Sequence, residues 1–414
     1  MKRKLLTWTA VIAIATLFGL ATAEVVKKVE NRHPKAKYIF LFIGDGMGST
    51  HVATTESYLS YKAGKMGGEM LTFSSFPAYG YATTYPADYH ITCSSAAGTA
   101  IACGAKTKNC MVGMGPDSVA LKSIAYELKD EGYKIGILTN VPVNHATPAA
   151  FYAHNCHRDN YYEISKDIAS SGFDFFGGAG FIDNFGINGD LPASDMYLAE
   201  NGYSIGYGLE EFNKVSKGAE KVILCQAQNK GKSAPNYGPE YRIDGALSLS
   251  QILKTAIDYL GDEEPFFIMS EGGNLDWAGH FHHTMAMVEE VIDFDKAIKT
   301  ALEFYEKHPD ETLIVVTADH ETGGLTLGCT SEEYHEKMIR WELLEKQWKE
   351  SGCKNVLSKK ENDKLNILSG IGWTSETHNG GPVPVYAIGC GSERFNGRMD
   401  NTDIKSKILG NNIK

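Results

Sequence analysis

Acidic and imidazole side chains cluster where three apolar runs end. Tyr38 to Ile43 runs into Gly44-Asp45-Gly46, Phe266 to Met269 runs into Ser270-Glu271 and then Asp276, and Leu313 to Thr317 runs into Ala318-Asp319-His320. Short runs that are apolar throughout read as strands buried on both faces of a parallel sheet. In open α/β sheets, ligands bind in the crevice beyond the carboxyl ends of the strands. Carboxylates and imidazoles gathered at that edge, out of water, repel one another unless cations hold them. The pattern therefore points to a metal cluster, and with it to an enzyme.

Each local constellation has a plain reading beside a chemical one. Gly44-Asp45-Gly46-Met47-Gly48 is either a glycine-rich turn or a turn tight enough to bring Asp45 onto a metal. The small-residue run from Thr92 to Ala100 is either a close-packed helix start or a nucleophilic serine at a helix N-terminus, where free N–H groups favour an anion. Asp276 and His280 lie four residues apart, so one helical turn puts them on one face, a carboxylate and an imidazole suited to Zn²⁺. The neighbouring His282 and His283 read as solvated loop residues. Asp319-His320 draws its meaning from its place at a strand end. Arg158 follows the run from His145 to His154, and its planar fork of donors fits a phosphate, or it is a surface charge.

Strands must carry these groups to one edge. Lys134–Thr139, Phe173–Phe176, Val222–Cys225 and Val383–Ile388 also read as strands. Ser118–Leu128, Tyr161–Ser170, Leu247–Leu260 and Met285–Tyr305 read as helices between them. The alternation predicts an α/β fold, a doubly wound and mostly parallel central sheet flanked by helices. Phe181 to Gly208, rich in Gly, Asn and Asp, is expected to loop over a sheet edge. Ser331 to Lys364 is charged and helical, with Trp341, Leu343, Leu344 and Trp348 as its apolar residues. It reads as an insertion beside the site, at about residues 331–364, and its aromatic residues either pack locally or form a homodimer contact.

Composition sets the outer bounds. The chain has 414 residues, 43% of them hydrophobic, enough for one large core spanning residues 24–414. Lys2-Arg3-Lys4, the apolar stretch Val11 to Leu20 and Ala21-Thr22-Ala23 form a signal peptide over residues 1–23, so the protein is expected to be exported, periplasmic or secreted. No later segment is long and apolar enough to span a membrane. Cleavage leaves 37 basic against 51 acidic side chains, a net charge near −14, which argues against nucleic acid as the main partner. The eight cysteines read as buried thiols with at most one disulfide, for which Cys103 and Cys110 are the local pair, because they bracket a short loop.

Taken together, six segments resemble the metal-dependent alkaline phosphatases. They are Phe42 to Gly48, Ser94 to Thr107, His145 to His154, Glu271 to His280, Thr317 to His320, and Thr377-His378, and they occur in that family's order. The resemblance implies Zn²⁺ on Asp276, His280 and His378, and a second Zn²⁺ on Asp45, Asp319 and His320. It implies a third ion, usually Mg²⁺, shared by Asp45 with Thr147 and Glu271. Ser94 would be the nucleophile and Arg158 the phosphate clamp, with His145 and Trp277 standing around the metals rather than on them. Small phosphate monoesters are the implied substrates; phosphodiesters or sulfate esters, and metal or phosphate binding without turnover, are the alternatives. One position departs from the family. Cys93 stands where an Asp usually precedes the nucleophile and orients the Arg.

Overall fold

The computed structural model describes residues 35–235, 245–329, 337–354 and 356–411. The expected signal peptide and the first residues of the insertion lie outside them. Ten strands build the central sheet: β1 Tyr38–Gly44, β2 Ala78–Thr83, β3 Lys134–Thr139, β4 Phe175–Gly178, β5 Ser204–Tyr207, β6 Val222–Cys225, β7 Phe266–Gly272, β8 Thr312–Thr317, β9 Val383–Gly389 and β10 Gly397–Asp400. Their spatial order is β10-β2-β9-β8-β1-β7-β3-β4-β6-β5. Every pairing is parallel except those of β9, which runs antiparallel to both β2 and β8.

The apolar runs explain the middle of this sheet. All residues of β1, β7 and β8 are buried, as expected of strands covered by helices on both faces. Their register levels the site. Ile43 of β1 lies opposite both Glu271 of β7 and Thr317 of β8, and Thr139 of β3 lies opposite Glu271. Asp45, Glu271 and the Asp319-His320 pair therefore leave the sheet at one height. The reversed direction of β9 starts that strand at the same edge, just after His378.

Helices named below are α1 Ser49–Lys62, α2 Ser94–Cys103, α3 Asn274–His280, α4 Thr284–Tyr305, α5 Trp341–Glu350 and α6 Lys359–Ser369. The longest, α4, buries one side against β1, β7 and β8. The segment expected to be an insertion, where it is described, holds α5 and the first part of α6. Its aromatic residues pack on the body of the same chain: Trp341 donates its ring N–H to Ser57 of α1 and lies edge-on to Tyr58, and Trp348 lies edge-on to His283. No helix among the described residues is long and apolar enough to cross a membrane.

Several local expectations need correction. The helix expected over Ser118–Leu128 runs over Ile124–Asp130, because Ser123 caps it by accepting the Tyr126 N–H. The strand expected over Phe173–Phe176 is β4, two residues later; Asp174 instead accepts the Ile135 N–H at 2.8 Å. The segment expected to loop over a sheet edge holds a helix, Ser194–Glu200, and the edge strand β5 itself. Cys103 and Cys110 are not bonded; all eight cysteines are free. His282 and His283 are buried, not solvated. His282 bonds Asp363 and the Ser375 carbonyl, tying α6 to the site loop, and His283 accepts the Ala286 N–H at the start of α4.

Candidate metal centre

The Asp45 turn is built to hold its carboxylate in place. Gly46 sits at φ +77°, and a Cβ there would meet Thr322 Oγ1 at 2.8 Å and Asp276 Cα at 3.0 Å. Only glycine takes that conformation and that approach without strain. The Gly46 N–H donates to Asp319 Oδ1 at 3.1 Å, and its carbonyl accepts from Thr322 N at 3.1 Å. One turn thus joins the ends of β1 and β8.

The candidate ligands form three groups, each with ligand atoms within 4.8 Å of one another: Asp276 with His280 and His378, Asp45 with Asp319 and His320, and Asp45 with His145 and Glu271. In the first, Asp276 lies 3.5 Å from both His280 Nε2 and His378 Nε2, through its two oxygens. In the second, His320 Nε2 lies 3.1 Å from Asp319 Oδ2 and 3.4 Å from Asp45 Oδ1. Two atoms each about 2.0–2.1 Å from a tetrahedral Zn²⁺ sit about 3.4 Å apart, so these spacings fit a shared cation. Thr147 Oγ1 lies 3.4 Å from Asp45 Oδ2, beside the third group. A ring nitrogen of His145 lies within 4.8 Å of carboxylate oxygens of Asp45 and Glu271 in that group. Trp277 is buried with its ring edge-on to that of His145.

The polar accounting agrees with the spacing. Asp45 Oδ1, Asp319 Oδ2, Glu271 Oε1 and His145 Nδ1 are buried and have no hydrogen-bond partner. An unmade bond at a buried polar atom costs about 1–3 kcal/mol, more for a charged one. Four such atoms converging on one place fit ions, and the hard oxygen and imidazole donors suit Zn²⁺ and Mg²⁺.

The electrostatics carry the same strain. Burial, then Asp319, Asp276 and Glu271, push the Asp45 carboxyl well above its usual range. Burial lifts Asp319 to about 6 and Glu271 to about 7. Burial, helped by Arg158, drives His145 down to about 3, and burial with His378 drives His320 well below its ordinary value. Asp276 and His378 behave as a pair. Burial opposes charge on both, yet their contact lifts His378 to about 9 and holds Asp276 well below the usual carboxylate range.

Ser94 begins α2 and is buried, with Oγ 3.1 Å from His320 Nε2. Ser95 points elsewhere; its Oγ is 3.1 Å from Cys93 Sγ. A cleft of about 410 Å³ opens over Ser94, bordered by Arg158, Tyr161, Asp276, His280 and His378. Arg158 Nη2 lies 3.1 Å from His145 Nε2. Arg158, Ser94 and the Asp276–His280–His378 group thus face one space, with His320 behind Ser94.

Three supporting residues escaped the sequence reading. Thr322 Oγ1 donates to Asp276 Oδ1 at 2.5 Å and lies 3.2 Å from His320 Nδ1, so one hydroxyl touches both groups. Thr139 donates to Glu271 Oε2. Asn140 Oδ1 accepts the N–H groups of Gly273 and Asn274, shaping the turn between Glu271 and Asp276. The available signal was positional: Thr139 ends β3, Asn140 follows it, and Thr322 lies two residues after His320.

The alkaline phosphatase family profile matches residues 36–175 and 240–411. Alkaline phosphatase 4 of Bacillus subtilis is 32% identical over 461 residues, covering 97% of this chain and 95% of that protein. Alkaline phosphatase 3 of the same organism is 30% identical, covering 95% and 93%. Among solved structures, the alkaline phosphatase of the Antarctic bacterium TAB5 superposes with a TM-score of 0.72 at 31% identity, over 91% of this chain and 97% of that one. A variant of the TAB5 enzyme has been solved with Mg bound in its M3 site.

Proposed function

The chain belongs to the alkaline phosphatase family of metal-dependent enzymes acting on phosphate monoesters, and from that premise we propose an exported phosphomonoesterase that works through a phosphoserine on Ser94. The observation that carries the assignment is the position of Ser94 Oγ, at a helix N-terminus, 3.1 Å from His320 and across the cleft from Arg158.

Zn²⁺ would be held by Asp276, His280 and His378 and by Asp45, Asp319 and His320, and Mg²⁺ by Asp45, Thr147 and Glu271 with His145 beside it. Bound there, the ions supply Lewis acidity at both ends of an in-line displacement and cancel the charge of the buried carboxylates. The rest falls to the chain. Arg158 offers two N–H groups to non-bridging phosphate oxygens, which carry charge in the transition state. Ser94 Oγ gives its proton to solvent, bonds to phosphorus and displaces the alcohol oxygen, which takes a proton from water; water then attacks phosphorus, breaks the Oγ–P bond and leaves phosphate and the reprotonated serine. The N–H groups at the start of α2 favour negative charge at Ser94. His145, kept neutral by burial, gives Arg158 an uncharged neighbour.

Ser94 is preferred over Ser95 because only Ser94 faces the cleft and His320. Export rests on the basic, apolar and small-residue segments of residues 2–23. The test is turnover of p-nitrophenyl phosphate with Zn²⁺ and Mg²⁺ present. Ser94→Ala is expected to lose roughly 10³-fold or more in kcat with unchanged metal content. Equal rates for the two proteins would remove Ser94 from the reaction.

A further inference from the structure

We propose that Cys93 and Cys110 form an oxidation site, a dithiol that closes to a disulfide beside the nucleophile and loosens the hold on phosphate. Cys93 is the residue immediately before α2, one position ahead of Ser94. Its N–H donates to Asn109 Oδ1 at 2.8 Å, and Asn109 Nδ2 donates to the Ile91 carbonyl at 2.9 Å, so the loop around residue 109 is fastened to the entry of α2. The next residue, Cys110, takes the left-handed conformation at φ +70° and donates its N–H to Cys93 Sγ at 3.1 Å. Burial and the neighbouring Cys93 both raise the Cys110 thiol.

The same loop holds the arginine. The Arg158 N–H donates to the Cys110 carbonyl at 2.8 Å, and Asn155 bridges to Val112. A Cys93–Cys110 bond would therefore tie the residue before Ser94 to the residue that anchors Arg158. It would also remove the sulfur contact to Ser95 Oγ. Both thiols are partly exposed, unlike Cys225, which is buried in β6. Burial raises the Cys93 thiol, but Arg158, the Cys110 N–H and Ser95 pull it below its ordinary value, which favours reaction with an oxidant.

With hydrogen peroxide as oxidant the chemistry balances. The Cys93 sulfur attacks one peroxide oxygen, the O–O bond breaks, and a sulfenic acid and hydroxide form. Cys110 sulfur then attacks the Cys93 sulfur, the S–O bond breaks, and water leaves. Two thiols and one peroxide become one disulfide and two waters.

The experiment treats the metal-loaded full chain with hydrogen peroxide, alkylates remaining thiols, maps cross-links by mass spectrometry, and measures turnover before and after a phosphine reductant. The expected result is a Cys93–Cys110 link, with kcat/KM down about tenfold because the reacting groups are misplaced, and recovery on reduction. Cys110→Ser is expected to lose the peroxide response, turning over at one rate before and after treatment; Cys93→Ser is expected to form no link. Both thiols remaining alkylatable, the link joining other cysteines, or Cys110→Ser losing activity to peroxide as the parent does would each overturn the proposal. The cross-link is read by mass, independently of the phosphatase reading on which the activity response rests.

Discussion

Stripping the metals should make the fold weaker in alkali than near neutrality, and the site geometry fixes the sign. Glu271 is pushed up to about 7, Asp45 well above the carboxylate range, and His378 to about 9. Without cations each of these keeps a proton in the folded chain that it gives up on unfolding. A group whose folded value is raised stabilises the fold below its unfolded value, and that contribution fades as pH rises through the folded value. The buried histidines work the other way: His145 and His51, held at about 3 and about 4 by burial, add stability as pH rises, but only up to about 6.5, the ordinary histidine value. Above that the gain fades within about one pH unit while the loss goes on.

Between about pH 6.5 and 8.5 each proton retained by the folded chain alone costs about 1.4 kcal/mol per pH unit. His378 keeps its proton over most of that window and Glu271 over its first part, a loss of about 2–3 kcal/mol, to which Asp45, shifted in the same direction, adds. With about 2 cal/mol/K of unfolding entropy per residue, a chain of this length converts that into a Tm lower by about 3 °C. The assay is thermal unfolding of chelator-stripped and Zn²⁺/Mg²⁺-loaded protein at both pH values. Loaded protein should show no such fall, because cations displace the same protons and bind more tightly as pH rises. A stripped protein as stable at the higher pH as at the lower would refute the claim that these carboxylates are held close and dry.

Two further substitutions test particular contacts. Thr322→Val removes the hydroxyl that touches Asp276 and His320; zinc titration should show about 10–100-fold weaker binding, and unchanged affinity would make that hydroxyl incidental. Arg158→Lys keeps the charge and loses the fork, so kcat/KM should fall about 10–100-fold, mostly through KM, with inorganic phosphate a weaker inhibitor to match; unchanged phosphate inhibition would place the clamp elsewhere.

The strands at the centre were legible because burial on both faces leaves a continuous apolar run, and β1, β7 and β8 have nothing else in them. The outer strands were not. In β2 the buried positions are Ala78, Gly80 and Ala82 while Tyr79 and Tyr81 are exposed, so the large apolar residues mark the open face. β5 and β10 are four residues each, with glycines that read as turns. Cysteine proximity misled for a related reason. Cys103 and Cys110 are the shorter loop, but the last turn of α2 carries Cys103 beside Lys405 and Glu127, while the αL turn at Cys110 brings that residue to Cys93.

The site was legible to the extent that it hangs on strand ends. Asp45, Glu271, Asp319 and His320 could be placed together because parallel neighbours in register must release their next residues at one edge. His378 could not be reached that way, since it lies far from any parallel strand end. It arrives because β9 enters the sheet from the site edge in reverse, and because His378–Asn379 pairs antiparallel with Glu321–Thr322 directly after the Asp319-His320 pair. That two-residue ladder puts His378 opposite Thr322, the residue whose hydroxyl binds Asp276. Composition carries no trace of it. A chain in which β9 joined the sheet parallel would have the same residues and no third ligand for the Asp276 group, so the direction of one strand decides whether the first metal group closes.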